Sequence, residues 1–330
     1  SVNPMHDPNS TGEGAVVDWL EEWGNEQKLE TLRESVFPGR DNISFTTSSG
    51  SGPHLLLNGH TDTVSVAGMS IEPFSGEVSD DRLWGRGASD MKGPLACMLS
   101  ALLELRARED WCGTVTVGCV VDEETEFQGI IKFIEDHEPW DFAVVGEPTN
   151  LRVVHGCKGC LRTIVRVAGR AAHSSDPSQG RNAIVAMAPV LVALQTFFDE
   201  EVGQFSRAGF SPCTGSVGLV EGGTAVNIVP DTCAVTFDIR TVPGQDSAST
   251  LIALEKFVRS RVGERDGYEL IFDTPYHDSP NFETPTDHRL VQIACALHDQ
   301  AKPDTVAFGC DGSKLAAAGI PTIILGPGDI

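Results

Sequence analysis

The sequence predicts an α/β fold in two parts: a larger domain around a sheet with some parallel strands, and a second domain of β-α-β-β-α-β order inserted into it. Three observations predict this. Short apolar runs stop abruptly at polar residues in LLLNG (55–59), VTVGCVV (115–121) and FAVVG (142–146), the pattern of buried strands. Apolar residues recur at helical spacing over 16–23 and 94–105, so strands and helices alternate, as they do where helices connect parallel strands. From 156 to about 273 the order changes to the split βαβ arrangement, a compact unit able to fold by itself.

In chain order, VVDWLEEW is the first helix, LLLNG the first strand of the alternating series, PLACMLSALLEL the second helix, and VTVGCVV and FAVVG the next two strands. The insert then reads CLRTIVRVAG (strand), NAIVAMAPVLVALQTFF (helix), GSVGLVEG and CAVTFDIRTV (strands), STLIALEKFVRSRV (helix) and YELIFD (strand). HRLVQIACALHD and PTIILG supply one more helix and strand, which return to the first domain. The expected domains are therefore 1–155 and 274–330 for the larger one and 156–273 for the insert.

The formal charge is 24 − 47 = −23. Phosphate binding needs the opposite field, so nucleic acid and anionic lipid are excluded as expected partners. No apolar run approaches the roughly 20 residues of a membrane span, and the start shows no signal-peptide pattern. Nine cysteines, irregularly spaced and odd in number, read as reduced thiols of a cytoplasmic protein. Cys157 and Cys160 form a lone close pair without a second pair to complete four ligands, and read as small buried residues.

The chemistry gathers at the strand ends. VTVGCVV runs straight into Asp122, Glu123 and Glu124 with no cation among them. Such a cluster is costly unless cations neutralise it, so a bound divalent metal is the economical explanation. His60 and Asp62 follow LLLNG two residues apart, where extended chain presents both on one side, and a carboxylate there can hold the second imidazole nitrogen of a metal ligand. Asp90 lies in the glycine-rich turn GRGASDMKG and Glu147 follows FAVVG. Taken singly, each has a plain alternative, a helix cap for Asp90 and a solvated face for the Glu pair. Four such segments in order, with mixed nitrogen and oxygen donors, suit zinc or a similar ion.

HTDTV, GRGASDMKG, DEET and GEPTN, in this order, resemble the motifs of the dinuclear-zinc aminoacylase, carboxypeptidase and acetylornithine deacetylase family. AAHSSDPSQGRNAI, GGTAVNIVPDTCAVTFDIRTVPG and IILGPGDI look most like its acetylornithine deacetylase branch. The resemblance implies a zinc-peptidase-like catalytic domain with a mixed sheet, and a ferredoxin-like lid or dimerisation insert. It implies two Zn2+ per subunit, with Co2+ as a substitute, held by His60 and Glu147 on one ion, Glu124 on the other and Asp90 on both. Glu123 is then the general base and Asp62 the support of His60. His173 is implied to reach the partner subunit's site in a homodimer and stabilise the oxyanion, while Asn227, Arg240 and Gly309 contact substrate. Without the resemblance, a lone histidine such as His173 reads as a surface residue and Arg240 as a salt-bridge arginine.

The implied reaction is hydrolysis of N-acetylornithine to ornithine and acetate by a water between two zinc ions. Alternatives of the same chemistry are succinyl-diaminopimelate desuccinylase, aminoacylase and peptidase, and a different class is a non-catalytic relative that lost a ligand. Two departures stand out. Cys310 occupies a position where the family usually has Thr, and the chain stops at GPGDI before the further family histidine that completes the second zinc site. His288 and His298 come too early to replace it, so the expectation is a C-terminus lying beyond this sequence.

Overall fold

The computed structural model describes residues 1–137, 139–263 and 266–329. Contacts divide the chain into two compact units: Ser1–Gly156 with Glu283–Thr305 and Cys310–Ile330, and Cys157–Phe282 with Val306–Gly309.

The first unit is built on a mixed sheet. Its centre is four parallel strands in the spatial order Gly113–Val120, His54–His60, Phe142–Val145 and Thr322–Ile324. Glu30–Phe37 and Arg40–Ser49 extend it antiparallel on the Gly113–Val120 side, and Val154–Cys157 pairs antiparallel with Thr322–Ile324. The parallel strands need an apolar composition because helices cover them. Gly14–Glu26 contributes Val17 and Leu20, and Gly93–Arg106 contributes Leu95, Leu99 and Leu102, to a core with Ile43, Phe45, Val115 and Val117. Each such side chain fully withdrawn from water contributes about 1.5–3 kcal/mol. Ile130 and Phe133 of Gln128–Asp136 are equally buried, and Arg289–Leu297 packs Val291 and Ala294 with Ile323. The two strands 30–37 and 40–49 went unread in the sequence because their apolar residues do not form a run; Glu30–Phe37 mixes exposed and half-buried positions, with none fully buried, at the sheet edge.

Parallel register decides where the site lies. Leu55, Leu56 and Leu57 face Val115, Thr116 and Val117 on one side and Phe142, Ala143 and Val144 on the other. All three strands therefore stop at one rim, where parallel α/β sheets place their ligands. Gly59 and Gly146, each just before a strand-end acid or histidine, let Gly93–Arg106 come close beneath that rim. A Cβ on Gly59 would meet Met91 Cε at 2.5 Å, and one on Gly146 would meet Met98 Cε at 2.6 Å.

The second unit has the β-α-β-β-α-β order expected of the insert. Its antiparallel sheet runs Thr214–Gly222, Thr232–Arg240, Cys160–Ala168, Glu269–Phe272, with His277–Ser279 also on Cys160–Ala168. Helices Ala183–Glu200 and Ser247–Val262 start at side-chain caps: Asn182 accepts from Val185 N–H and Asp246 from Ser249 N–H. Their apolar faces and the sheet enclose Val165, Met187, Leu194, Phe197, Phe237 and Leu254. One correction concerns this helix. Together with the turn after it, Ala183–Gln204 is long and apolar enough to cross a membrane, whereas no such run was expected. Its buried Met187, Val190, Leu194, Phe197 and Phe198 account for that composition as a core helix.

Candidate active site

Three strand-end or turn residues meet on the rim of the first unit. One ligand atom each from His60, Asp90 and Glu147 lies within 4.8 Å of the others, the arrangement of a metal-holding group. His60 is buried, and its ring is oriented from behind. Nδ1 stands 3.0 Å from the carbonyl oxygen of Asp62 and 3.4 Å from its Oδ1. Two acceptors facing Nδ1 put the proton of the neutral ring there and turn the Nε2 lone pair forward, as a metal-binding imidazole requires. In front of Nε2 are Asp90 Oδ1 at 3.0 Å, Glu147 Oε1 at 3.8 Å and Glu123 Oε2 at 3.9 Å.

Asp62, fully buried, is the hub of this arrangement. Its Oδ1 accepts from the N–H of Glu123 (3.1 Å), and its Oδ2 from the N–H of Glu124 (3.2 Å) and from the Asn3 amide (2.8 Å). Burial works to raise its pKa, but the His60 imidazole, Asn3 and the Glu124 N–H together hold it below the usual carboxylate value.

The adjacent acids that puzzle the eye in the sequence take separate tasks. Asp122 sits in the left-handed region at φ 69°, a conformation aspartate tolerates better than most residues. Its carboxylate accepts from Thr125 Oγ1 (2.6 Å), from Arg40 Nη2 (3.0 Å) and from Asn3 Nδ2 (3.1 Å), so it shapes the turn. Arg40 also grips buried Glu13 through two bonds of 2.6 and 2.7 Å. Glu123 points to the front of His60. Glu124 is half-buried and anchors the turn by its N–H, and its carboxylate is not part of the trio of ligand atoms.

The electrostatics of this pocket favour a cation. Burial, with neighbouring Asp90, Asp311 and Glu124, pushes the Glu147 carboxyl up to about 8, and burial with Glu147 and Asp311 holds Glu123 well above the ordinary value. Glu124 is raised by burial and by Asp90 and Asp62. Burial alone would lower His60, yet the surrounding acids carry it well above the ordinary histidine value. Among the described residues no lysine or arginine forms an ion pair with Asp90, Glu123 or Glu147. Glu147 Oε1 is buried without a hydrogen-bond partner. An orphaned carboxylate oxygen beside an imidazole nitrogen and a second carboxylate is a donor set that fits zinc.

These observations meet a match in sequence. The chain matches Peptidase family M20/M25/M40 over residues 56–330. It belongs to that family. As a member it is a metal-dependent hydrolase of the metallopeptidase class, acting on amino-acid derivatives. It is similar to the acetylornithine deacetylases of Proteus mirabilis (32% identity, 96% of this chain and 81% of the relative) and Vibrio vulnificus (33%, 97% and 84%). In fold it resembles a tripeptidase of Staphylococcus aureus (TM-score 0.77, 22% identity, 96% of this chain, 85% of that one). An M20 family metallo-carboxypeptidase of Sulfolobus solfataricus has the same architecture (TM-score 0.73, 20%, 95% and 86%).

The remaining expected residues belong to the second unit. His173 is exposed on the short strand Ala172–His173, and its Nδ1 accepts from the Ser175 N–H (3.2 Å) and faces the Ser175 hydroxyl (2.7 Å). Asn227 is exposed, and its carbonyl accepts from the Ser174 N–H. Arg240 donates to Asp238 (2.7 Å), which also accepts from Arg162 (3.0 Å), so its guanidinium is engaged in an ion pair. Gly309 lies against Ser279, where a Cβ would stand 3.0 Å from the hydroxyl. Cys157 and Cys160 are both buried, and Cys160 Sγ donates to Asp238 (3.2 Å).

Sequence reading missed Asn3, Arg40 and Asp311. Asn3 and Arg40 precede every motif. Asp311 sits at the start of helix Gly312–Ala317, where an aspartate ordinarily reads as a cap; here it makes no cap bond, and its Oδ2 accepts from the Asn58 amide instead.

Proposed function

We propose that this protein removes an N-acyl group from an amino acid, converting N-acetylornithine to ornithine and acetate, with a two-zinc centre. The observation that carries the reading is the unpartnered Glu147 oxygen facing His60 and Asp90 with Glu123 alongside. The choice of substrate rests on the likeness to acetylornithine deacetylases at 32–33% identity over nearly the whole chain.

His60, Asp90 and Glu147 would hold one ion, and Asp90 with Glu124 would serve the other. Bound zinc polarises the scissile carbonyl and lowers the pKa of a water toward 7. Glu123 is the base. Its carboxyl forms no ion pair with a lysine or arginine among the described residues; it takes the proton from the attacking water and returns it to the departing amine. Asp62 keeps the His60 ring in its tautomer and, by the two N–H groups it accepts, fixes the turn that carries Glu123. His173 donates to the oxyanion, Asn227 and Gly309 contact the acyl amino acid, and Arg240 takes its carboxylate, exchanging part of its bonding to Asp238.

The insert supports a homodimer. Thr214–Gly222 is an edge strand with Leu219 and Val220 exposed, Val226 beyond it is fully exposed, and Val192 of the adjacent helix is 68% exposed. Residence in the cytoplasm is in keeping with nine cysteines that form no disulfide, and a place in arginine biosynthesis rests on the likeness to acetylornithine deacetylases.

The test is a panel. The purified full-length protein, with zinc content measured, is offered N-acetylornithine, N-succinyl-diaminopimelate, other N-acetyl amino acids and dipeptides at equal concentration. Fastest release of acetate from N-acetylornithine is expected. Two bound zinc ions with no such release and faster cleavage of another substrate would reassign it, and no hydrolysis at all would favour a binding role.

A further inference from the structure

Asn58 and Asp311 are not among the residues assigned a role in the site above. Both are buried, at 0% and 1% exposure. Asn58 Nδ2 donates to Asp311 Oδ2 at 2.8 Å. The remaining oxygen of each group, Asn58 Oδ1 and Asp311 Oδ1, is buried with no hydrogen-bond partner. Two planar groups thus meet at one corner and each keeps one unsatisfied acceptor. A single proton on Asp311 would turn two facing acceptors into a donor and an acceptor: a carboxylic acid offers one O–H and one acceptor, the complement of an amide edge.

The position gives this pair leverage. Asn58 is two residues before His60 on the same strand, and its carbonyl accepts from the Gly146 N–H (2.9 Å), next to Glu147. Its main chain also pairs with Val145. Fixing Asn58 fixes the joint between the strand that ends in His60 and the strand that leads to Glu147. A negative charge at Asp311 would add repulsion to Glu123 and Glu147, both of which its charge already raises. Burial pushes the Asp311 carboxyl up to about 7, in line with the geometry.

We propose that Asp311 is a positioning residue for the metal centre, acting as a neutral acid paired with the Asn58 amide rather than as a carboxylate ligand or base. This rests on the zinc hydrolase reading above.

The deciding variant is Asp311→Asn, which keeps shape and size and offers Asn58 one acceptor and one donor without any charge. Zinc affinity is measured by titration against a chromophoric chelator, and kcat and KM on whichever panel substrate is cleaved fastest. Asp311→Asn is expected to keep zinc affinity and kcat within about threefold. Asp311→Ala, which leaves the Asn58 amide unpaired, is expected to lose about 10–100-fold in zinc affinity, as outer supports of metal sites do, and kcat with it at little change in KM. Asp311→Ser provides a soluble substitute if the alanine variant does not fold. Equal loss in Asp311→Asn and Asp311→Ala would overturn the proposal, since the charge would then be what the site uses. Wild-type protein that binds no zinc would sink the hydrolase reading instead, so the two failures are distinct.

Discussion

The two units of the molecule carry opposite imperfections. The first withdraws acids from water beyond what its bases answer: Glu123, Glu147 and Asp311 are buried, among the described residues no lysine or arginine forms an ion pair with Glu123 or Glu147, and Glu147 Oε1 has no hydrogen-bond partner. The second has a well-filled apolar interior and leaves Leu219, Val220 and Val226 facing outward. Desolvated charge asks for an ion, and an apolar edge strand asks for another surface. The difference teaches that the first unit's stability should answer to metal and the second unit's to association.

The broadest test separates those demands. Stripping zinc with a chelator is expected to abolish turnover. Restoring it at 100 times its Kd is expected to stabilise the first unit by about 2.7 kcal/mol, read as slowed amide exchange in strands 54–60 and 142–145. Exchange in 160–168 and 232–240 should not change; uniform slowing across both units would break the comparison.

Next in size is Glu123→Gln. It removes the base and leaves His60, Asp90 and Glu147 in place, so kcat is expected to fall by about 10²–10⁴-fold with zinc affinity kept. A kcat within tenfold of wild type would show that another group takes the proton.

Asn3→Ala is expected to cost about 10–100-fold in zinc affinity or activity, because the amide holds Asp62 and Asp122 together. A variant that melts earlier yet binds zinc and turns over normally would reduce Asn3 to a packing role. On the other unit, Leu219→Glu with Val220→Asp is expected to give monomers in sedimentation while zinc affinity stays unchanged. Dimers persisting in that variant would place the interface elsewhere.

The smallest effect concerns thiols. Burial raises Cys119 to about 12, so at pH 8 almost none of it is thiolate, whereas Cys97 and Cys112 are exposed. Iodoacetamide at that pH is expected to label the latter two and spare Cys119, seen by peptide mass spectrometry.

Much of this was legible before any coordinates. The parallel strands announce themselves because burial on both faces forces unbroken apolar runs, and His60, Glu123 and Glu147 stand out because each follows one within two or three residues. The insert was readable for a similar reason, since its two helices and its strands Cys160–Ala168, Thr214–Gly222 and Thr232–Arg240 are long enough to show a period. What stayed hidden is what long-range contact creates. Nothing near Asn3 in sequence shows that its amide lies on an aspartate 59 residues away, nor does FGCDG reveal that Asp311 reaches Asn58 across 253 residues. Adjacency also misleads. Asp122 carries the same charge as its two neighbours, and only its left-handed backbone and its bond to Arg40 mark it as architectural.

The closeness of Met91 and Met98 to Gly59 and Gly146 has an oxidative consequence. The two thioethers form the floor under the residues that precede His60 and Glu147, and a sulfoxide is polar and larger than the sulfur it replaces. Peroxide treatment is therefore expected to release zinc in step with sulfoxide formation at half-buried Met98, with Met98→Leu protecting. Complete sulfoxidation with undiminished metal retention would mean that this floor is soft enough to yield.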